Sequence, residues 1–123
     1  MLAIIFQEPE AERIARAIAD AAERKMSCMN WLECLIVVEA RRGPEQVMAA
    51  LALLAAMRIE MLAFDAVQME QARTAWQRFG KGRHPARLNL LDCCAYAAAN
   101  SSGEPLLFIG NDFGQTDVDR APW

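Results

Sequence analysis

Acidic residues at three separate points of the chain could together hold a divalent cation. Asn30 is followed three positions later by Glu33, and Asn89 is followed three positions later by Asp92. Asp112 comes just after a short apolar run. Mg²⁺ and Mn²⁺ are held by carboxylate oxygens that converge in space, not in sequence. The spacing therefore raises the hypothesis of a carboxylate metal site.

The same two pairs also have a purely structural interpretation. An Asn with an acid three positions later is typical of a capping box, in which each side chain accepts a hydrogen bond from the other residue's backbone N–H. An acid there also gains about 0.3–1 kcal/mol from the helix dipole. However, Leu32 and Leu35 lie around Glu33, and Leu90 and Leu91 precede Asp92. An unpaired ionised group among apolar neighbours is costly, and a bound cation would relieve that cost.

Asp112 and Asp117 follow the apolar run Pro105 to Ile109, which we interpret as a strand. Ligands of α/β folds gather at the carboxyl ends of strands, which favours a functional role. Gly-Asn-Asp is also good turn chemistry, so a simple turn explains the segment equally well. Asp119 we interpret as a solvated residue of the tail.

A basic stretch runs from Arg73 to Arg87 and contains five cations, the only histidine and no acid. In a protein of net charge −3 and pI near 5.1, this asymmetry indicates an edge that faces an anion. A solvated helix face that continues into a loop is the competing interpretation. We expect His84, placed before Pro85, to fix the loop by a hydrogen bond and not to act as a base.

The remaining composition sets the class of protein. A chain of 123 residues fits one domain with a real core. No apolar run approaches the ~20 residues of a membrane span, and the first six residues lack the basic leader of a signal peptide. The four cysteines contain no Cys-x-x-Cys spacing, so we expect reduced thiols in a cytoplasmic protein.

Periodicity places these residues on helices that alternate with short strands. Helices are predicted over about 8–24, 30–42, 45–57, 65–79 and 89–100, with Asn30, Asp65 and Asn89 as N-caps. In the fourth helix the spacing of Met69, Ala72, Trp76 and Phe79 predicts an inward stripe. Strands are predicted over 59–64 and 105–109, with a doubtful one near 25–29. This pattern indicates an α/β protein with a parallel sheet, although the strand count is low.

Several blocks together resemble one known family. They are Gly80 to Asp92, Gly103 to Phe108, Gly110 to Phe113, Thr116 to Val118, and Glu39 to Pro44. In this order they closely resemble the VapC-type branch of the PIN-domain ribonucleases, which are toxins of bacterial toxin–antitoxin pairs. The resemblance covers essentially all of the chain.

The resemblance implies a three-layer α/β/α PIN-like domain over residues 1–123 with a short parallel sheet. It also implies a type II toxin that hydrolyses RNA with carboxylate-held Mg²⁺ or Mn²⁺. Glu33, Asp92 and Asp112 match family acidic positions and are the expected catalytic and metal-binding residues, with Asp117 as a further, variably used acid. The implied partners are RNA and a cognate antitoxin, with a homodimer and no membrane.

The phosphate contacts are expected from the basic stretch, at Lys81, Arg83 and Arg87. Leu91 stands where the family has glycine, which is a mild departure. A larger one is that the family's first strand and its terminal Asp have no counterpart before the segment that starts at Met1. Either the start was assigned at an internal methionine or the chain is truncated. In the second case, the protein would be a catalytically impaired module that binds antitoxin or dimerises.

Overall fold

A computed structural model describes all residues, 1–123, as six helices and two short strands. The α/β class and the PIN-like arrangement predicted from the sequence are confirmed, with a two-stranded parallel sheet. None of the helices combines the length and the apolar run needed to cross a bilayer. In chain order the elements are α1 Leu2–Ile5, α2 Ala11–Asp20, β1 Lys25–Ser27, α3 Cys28–Arg42, α4 Glu45–Ala56, β2 Glu60–Leu62, α5 Ala66–Phe79 and α6 Leu90–Ser102.

The sheet is formed by β1 and β2, whose crossover runs through α3 and α4. Their register pairs Ser27 with Leu62 at the carboxyl end. The predicted third strand, Pro105 to Ile109, is wrong. That segment bonds to the C-terminal tail instead of a strand, through Leu106 N–H to the Asp119 carbonyl (2.8 Å) and Ala121 N–H to the Leu106 carbonyl (3.0 Å). The segment has no neighbouring strand with which to form a ladder of hydrogen bonds. Its apolar residues bury only one position, Phe108.

The first predicted helix, over about 8–24, is also corrected. The helix observed there is α2, which begins later and ends earlier than predicted. A separate short helix, α1, precedes it. Gln7 has φ +56°, a left-handed conformation that breaks any continuous helix between the two. At the other end Ala21 is extended, and the Arg24 guanidinium donates to the Ala19 carbonyl at 2.7 Å in the last turn.

The main core lies between α5 and α6, whose contact is the most extensive between any two elements. The stripe predicted on α5 is partly wrong, because Met69 and Trp76 are 45% and 42% exposed. The other two predicted members, Ala72 and Phe79, are buried and pack in the core with Ala75, so this half of the prediction is confirmed. Small side chains on both helices let the backbones approach closely, and Met69 and Trp76 lie outside this contact. The core cluster comprises Ala72, Ala75, Phe79, Ala86, Leu88, Cys93, Tyr96, Ala97, Phe108 and Phe113.

Candidate functional site

Glu33 reaches the site from inside α3, not from its cap. Ser27, the last residue of β1, is the N-cap, and its Oγ accepts from the Met29 N–H at 3.3 Å. The capping box predicted for Asn30 and Glu33 is therefore wrong. The serine that ends the strand supplies an earlier acceptor, so the helix starts at Cys28 and Glu33 lies in its second turn.

Glu33 is half-buried and forms no ion pair. Burial raises the pKa of its carboxyl group, and the nearby Asp92 carboxylate raises it further. A hydrogen bond from the Asn30 side chain opposes this and lowers the pKa. Glu33 therefore has no capping role, and its one local contact is the hydrogen bond from Asn30.

Asp92 reaches the same region from the start of α6, where the predicted capping box is confirmed. Its backbone N–H donates to Asn89 Oδ1, and the Asn89 N–H donates to Asp92 Oδ2, both at 2.9 Å. Burial raises the pKa of Asp92, the Asn89 N–H lowers it, and Asp112 raises it. Asp92 therefore carries a structural bond on Oδ2 while a second carboxylate, Asp112, lies close enough to raise its pKa.

Asn30 joins the two helices that carry these acids. Its Nδ2 donates to the Leu91 carbonyl at 3.0 Å, directly before Asp92 in the chain. Its Oδ1 is buried without any hydrogen-bond partner. Buried amide oxygens are normally satisfied by protein, water or an ion. Sequence reasoning treated Asn30 as a cap and missed this bridge, because the Leu91 carbonyl is distant along the chain.

Asp112 reaches the same region as Asp92 from a different part of the chain. It precedes a single 3₁₀ turn, Phe113–Gln115, and the buried Phe113 anchors it against Phe108 with ring centroids 5.3 Å apart. A cavity of about 290 Å³ is lined by Lys81, Arg87, Asn89, Asp92 and Asp112.

Asp117 is engaged elsewhere in the structure. The Tyr96 hydroxyl donates to its Oδ1 and the Arg78 guanidinium to its Oδ2, both at 2.7 Å. The Tyr96 hydrogen bond and the adjacent Arg78 cation hold the pKa of Asp117 below its usual value. Both oxygens already accept hydrogen bonds, so Asp117 fastens the tail to α5 and α6.

The oxygen ligands in this region are of the type that a divalent cation prefers, but too few of them converge on one point. Glu33, Asp92 and Asp112 offer only oxygen ligands, and like charge raises the pKa of the first two. The orphaned Asn30 oxygen is a further candidate acceptor. However, no group of three or more acidic, histidine or cysteine side chains has the spacing to hold an ion in this conformation.

The cysteines are free thiols, as the sequence predicted. Cys34, Cys93 and Cys94 are buried, and Cys28 is half-buried. Burial, with Asp92 beside it, raises the pKa of Cys93 to about 11. These thiols therefore act as small apolar groups of the core.

The predicted loop after α5 is confirmed and lies beside the acids. We call residues Gly80–Leu88 the basic loop. Its ends meet in a parallel bridge, and the Lys81 N–H donates to the Leu88 carbonyl at 3.0 Å. His84 fixes the loop as expected, since its Nδ1 accepts from the Ala86 N–H at 3.1 Å.

Comparison with known proteins decides the family. A PIN domain model matches residues 1–119 of the chain. The chain belongs to the PIN domain family. Its relatives within the family are named as ribonucleases. It is 44% identical over 118 residues to Ribonuclease VapC of Mycolicibacterium smegmatis, covering 96% of this chain and 92% of the relative.

Two further relatives come from Mycobacterium tuberculosis. Ribonuclease VapC30 is 40% identical over 118 residues, with 96% of this chain and 90% of the relative covered. Ribonuclease VapC28 is 40% identical over 122 residues, with coverage of 98% and 92%. The family resemblance predicted from the ordered sequence blocks is confirmed: this PIN domain is homologous to VapC ribonucleases.

Proposed function

We propose that this PIN domain protein is a metal-dependent endoribonuclease and the toxin of a type II toxin–antitoxin system. The observation that supports this most is the meeting of Glu33 and Asp92. The Asp92 carboxylate raises the pKa of Glu33, and the Asp112 carboxylate raises the pKa of Asp92. Neither Glu33 nor Asp92 forms an ion pair, and a divalent cation would balance their charge.

In this proposal Glu33, Asp92 and Asp112 would hold Mg²⁺ or Mn²⁺. The bound ion would supply Lewis acidity and a water of lowered pKa for attack on a phosphodiester. The chain's own residues do the rest. The capping box fixes the Asp92 carboxylate, Asn30 ties α3 to α6, and the exposed Lys81 and Arg87 attract the phosphate. Protons compete for the raised-pKa acids, so metal affinity would increase with pH.

The test is cleavage of RNA in Mg²⁺ by the wild type and by Asp92→Asn. The amide keeps an oxygen for the Asn89 N–H but removes the charge, so we expect cleavage to fall at least ~100-fold with little change in melting temperature. The matched control is Asp119→Asn, an exposed acid of the tail, which should cleave normally. Equal cleavage by Asp92→Asn would overturn the assignment. Mn²⁺ titration by calorimetry gives a second readout.

A second candidate function, an antitoxin-binding module without catalysis, is favoured by a different observation. Leu32 and Ile36 on α3 and Met48 on α4 are 52%, 58% and 70% exposed. An amphipathic helix of a partner could cover such apolar side chains. Stoichiometric binding of the cognate antitoxin that is lost in Ile36→Lys, together with absent metal-dependent cleavage, would support this alternative. Light scattering on the same samples would test the expected homodimer.

A further inference from the structure

A tryptophan in the tail joins three parts of the chain. The Trp123 indole N–H donates to the Phe108 carbonyl at 3.1 Å. The Arg13 guanidinium of α2 lies over the indole ring, 4.8 Å from its centroid, and donates to the Trp123 carbonyl at 3.0 Å. Arg120 also lies over this ring, with its guanidinium 5.3 Å from the centroid. We call Arg13, Arg120 and Trp123 the tryptophan clasp.

The clasp supplies the last of several bonds between the tail and the segment 105–109. Leu106 exchanges two backbone hydrogen bonds with the tail, at 2.8 and 3.0 Å. Two residues later the Phe108 carbonyl accepts from Trp123. Between Phe108 and Asp112 no backbone group is hydrogen-bonded to a distant part of the chain. The Phe108 carbonyl is therefore the last fixed point of the backbone before Asp112.

Asp112 lies between two buried phenylalanines that pack on each other. Phe113, the next residue, and Phe108 have ring centroids 5.3 Å apart. Arg120 of the clasp lies over the Phe108 ring as well, 5.0 Å from its centroid. The carboxylate is thus carried by a short connection whose two ends belong to one cluster. A shift of Phe108 would therefore be transmitted to Asp112.

The position of Asp112 matters because of its neighbour. Asp112 lines the cavity of about 290 Å³ together with Asp92, and it lies close enough to raise the pKa of that carboxyl. Ligands of a cation must be held within about 0.5 Å of their productive places. Hydrogen bonds beyond the ligands commonly do this, and their loss costs about 10–100-fold in metal affinity. The bond from Trp123 has the location expected of such a support.

We propose that Trp123 is a positioning residue that sets how close Asp112 lies to Asp92. Its indole N–H holds the Phe108 carbonyl, and this carbonyl fixes the start of the connection that carries the carboxylate. Arg13 holds the indole in turn, so α2 takes part in the site although it does not line the cavity. The consequence for cation binding rests on the proposed nuclease function, whereas the order of the Asp112 turn does not.

The first measurement is hydrogen exchange on the metal-free full chain, in the wild type and in Trp123→Phe. Phenylalanine keeps an aromatic ring for Arg13 but lacks the N–H. The Gln115 and Thr116 amides, which donate within the turn at 3.2 and 3.0 Å, report its order. They should exchange about tenfold faster in the variant, while amides in the middle of α6 stay unchanged. Unchanged exchange at the turn, or an equal increase at the turn and in α6, would overturn the proposal.

The second measurement is a double-mutant cycle of Mn²⁺ affinity by calorimetry. Trp123→Phe should raise the Kd about tenfold, as expected for a residue that positions a ligand. In the Asp112→Asn background the same change should have no further effect, because the carboxylate that it misplaces is absent. A merely structural role would weaken binding equally in both backgrounds, and this result would overturn the proposal.

Arg13→Gln tests the same connection from α2 and leaves Trp123 in place. It should raise the Mn²⁺ Kd in the same direction but less, about threefold. Arg16→Gln is the matched control, because Arg16 is exposed on the same helix and held in a separate ion pair of 3.2 Å. Trp76→Phe is the control for loss of an indole N–H, since it changes an exposed ring over which Arg83 lies at 4.1 Å. Both controls should bind Mn²⁺ like the wild type.

The outcomes separate this inference from the nuclease assignment. If Asp92→Asn weakens Mn²⁺ binding and Trp123→Phe does not, the metal site stands and the clasp proposal fails. If the wild type binds no Mn²⁺ but exchange at the turn depends on Trp123, the nuclease assignment fails and the role of Trp123 in holding the Asp112 turn stands.

Discussion

Glu33 and Asp92 lie near each other on helices that begin in different ways. Asp92 belongs to a reciprocal cap, so its position is fixed by backbone bonds at the first turn of α6. Glu33 lies beyond the first turn of α3, whose cap is Ser27. The pKa of both carboxyls is raised by burial, yet only Asp92 contributes to its helix. The comparison indicates that a half-buried carboxylate with no capping role points to a function more strongly than one that also caps its helix.

The largest expected effect concerns activity. Glu33→Gln should reduce RNA cleavage at least ~100-fold, as much as Asp92→Asn, because the proposed cation loses one charged ligand in either case. Single-turnover cleavage of labelled RNA measures this. Glu39→Gln, an exposed acid of the same helix, is the control. Normal cleavage by Glu33→Gln would mean that Glu33 is not part of the proposed metal site, and that Glu33 and Asp92 do not share a function.

A smaller effect should separate the two acids in stability. Asp92→Ala removes the acceptor of the exposed Asn89 N–H, which should lower the free energy of unfolding by roughly 0.5–1.5 kcal/mol, the net value of one hydrogen bond. Glu33→Ala removes a half-buried charge that caps nothing, so stability should stay the same or increase. Urea unfolding at neutral pH measures both. A comparable loss in Glu33→Ala would mean that Glu33 also has a structural role.

A third effect tests the helix starts themselves. Ser27→Ala should cost about 1 kcal/mol, the usual value of an N-cap, and should speed hydrogen exchange at the Met29 amide. Asn30→Ala should leave exchange at Met29 unchanged while weakening the contact with the Leu91 carbonyl. If Ser27→Ala changed neither stability nor exchange at Met29, Asn30 and not Ser27 would be the N-cap of α3.

The smallest effect is the dependence of stability on pH. The raised pKa of Glu33 and Asp92 means that the folded protein binds these protons more tightly than the unfolded chain does. Their destabilising effect is therefore absent below the unfolded pKa, about 4, and complete above the folded pKa. Stability should fall as pH rises through this window, and the double variant Glu33→Gln/Asp92→Asn should lose that fall. Thermal midpoints of both proteins measured across this window test the sign. A midpoint that rises with pH more in the wild type than in the double variant would contradict it.

Local patterns predicted the features that local forces decide. The capping box of Asn89, the Asp65 cap and the basic loop depend on neighbours within a few residues, and all are confirmed. The α3 cap was wrong because two acceptors, Ser27 and Asn30, competed within one turn. Sequence alone does not rank them, since the choice depends on where β1 ends.

Features that depend on distant partners were missed. Trp76 was assigned to the core by its spacing, although the packing of alanines between α5 and α6 turns it outwards. The bond from Arg78 to Asp117 spans 39 positions, and that from Tyr96 to Asp117 spans 21. No periodicity encodes such contacts. The metal-binding role of the four acids stays a prediction.

Tyr96 gives the molecule a built-in optical reporter. It is the only tyrosine of the chain, and its hydroxyl holds Asp117 of the tail. Burial and this bond raise the pKa of the phenol. Tyr96 is the one phenol that ionises, so the ultraviolet titration of tyrosinate records whether the tail is attached, without any label. An ordinary alkaline titration of the intact protein would thus follow one contact, that between Tyr96 and Asp117.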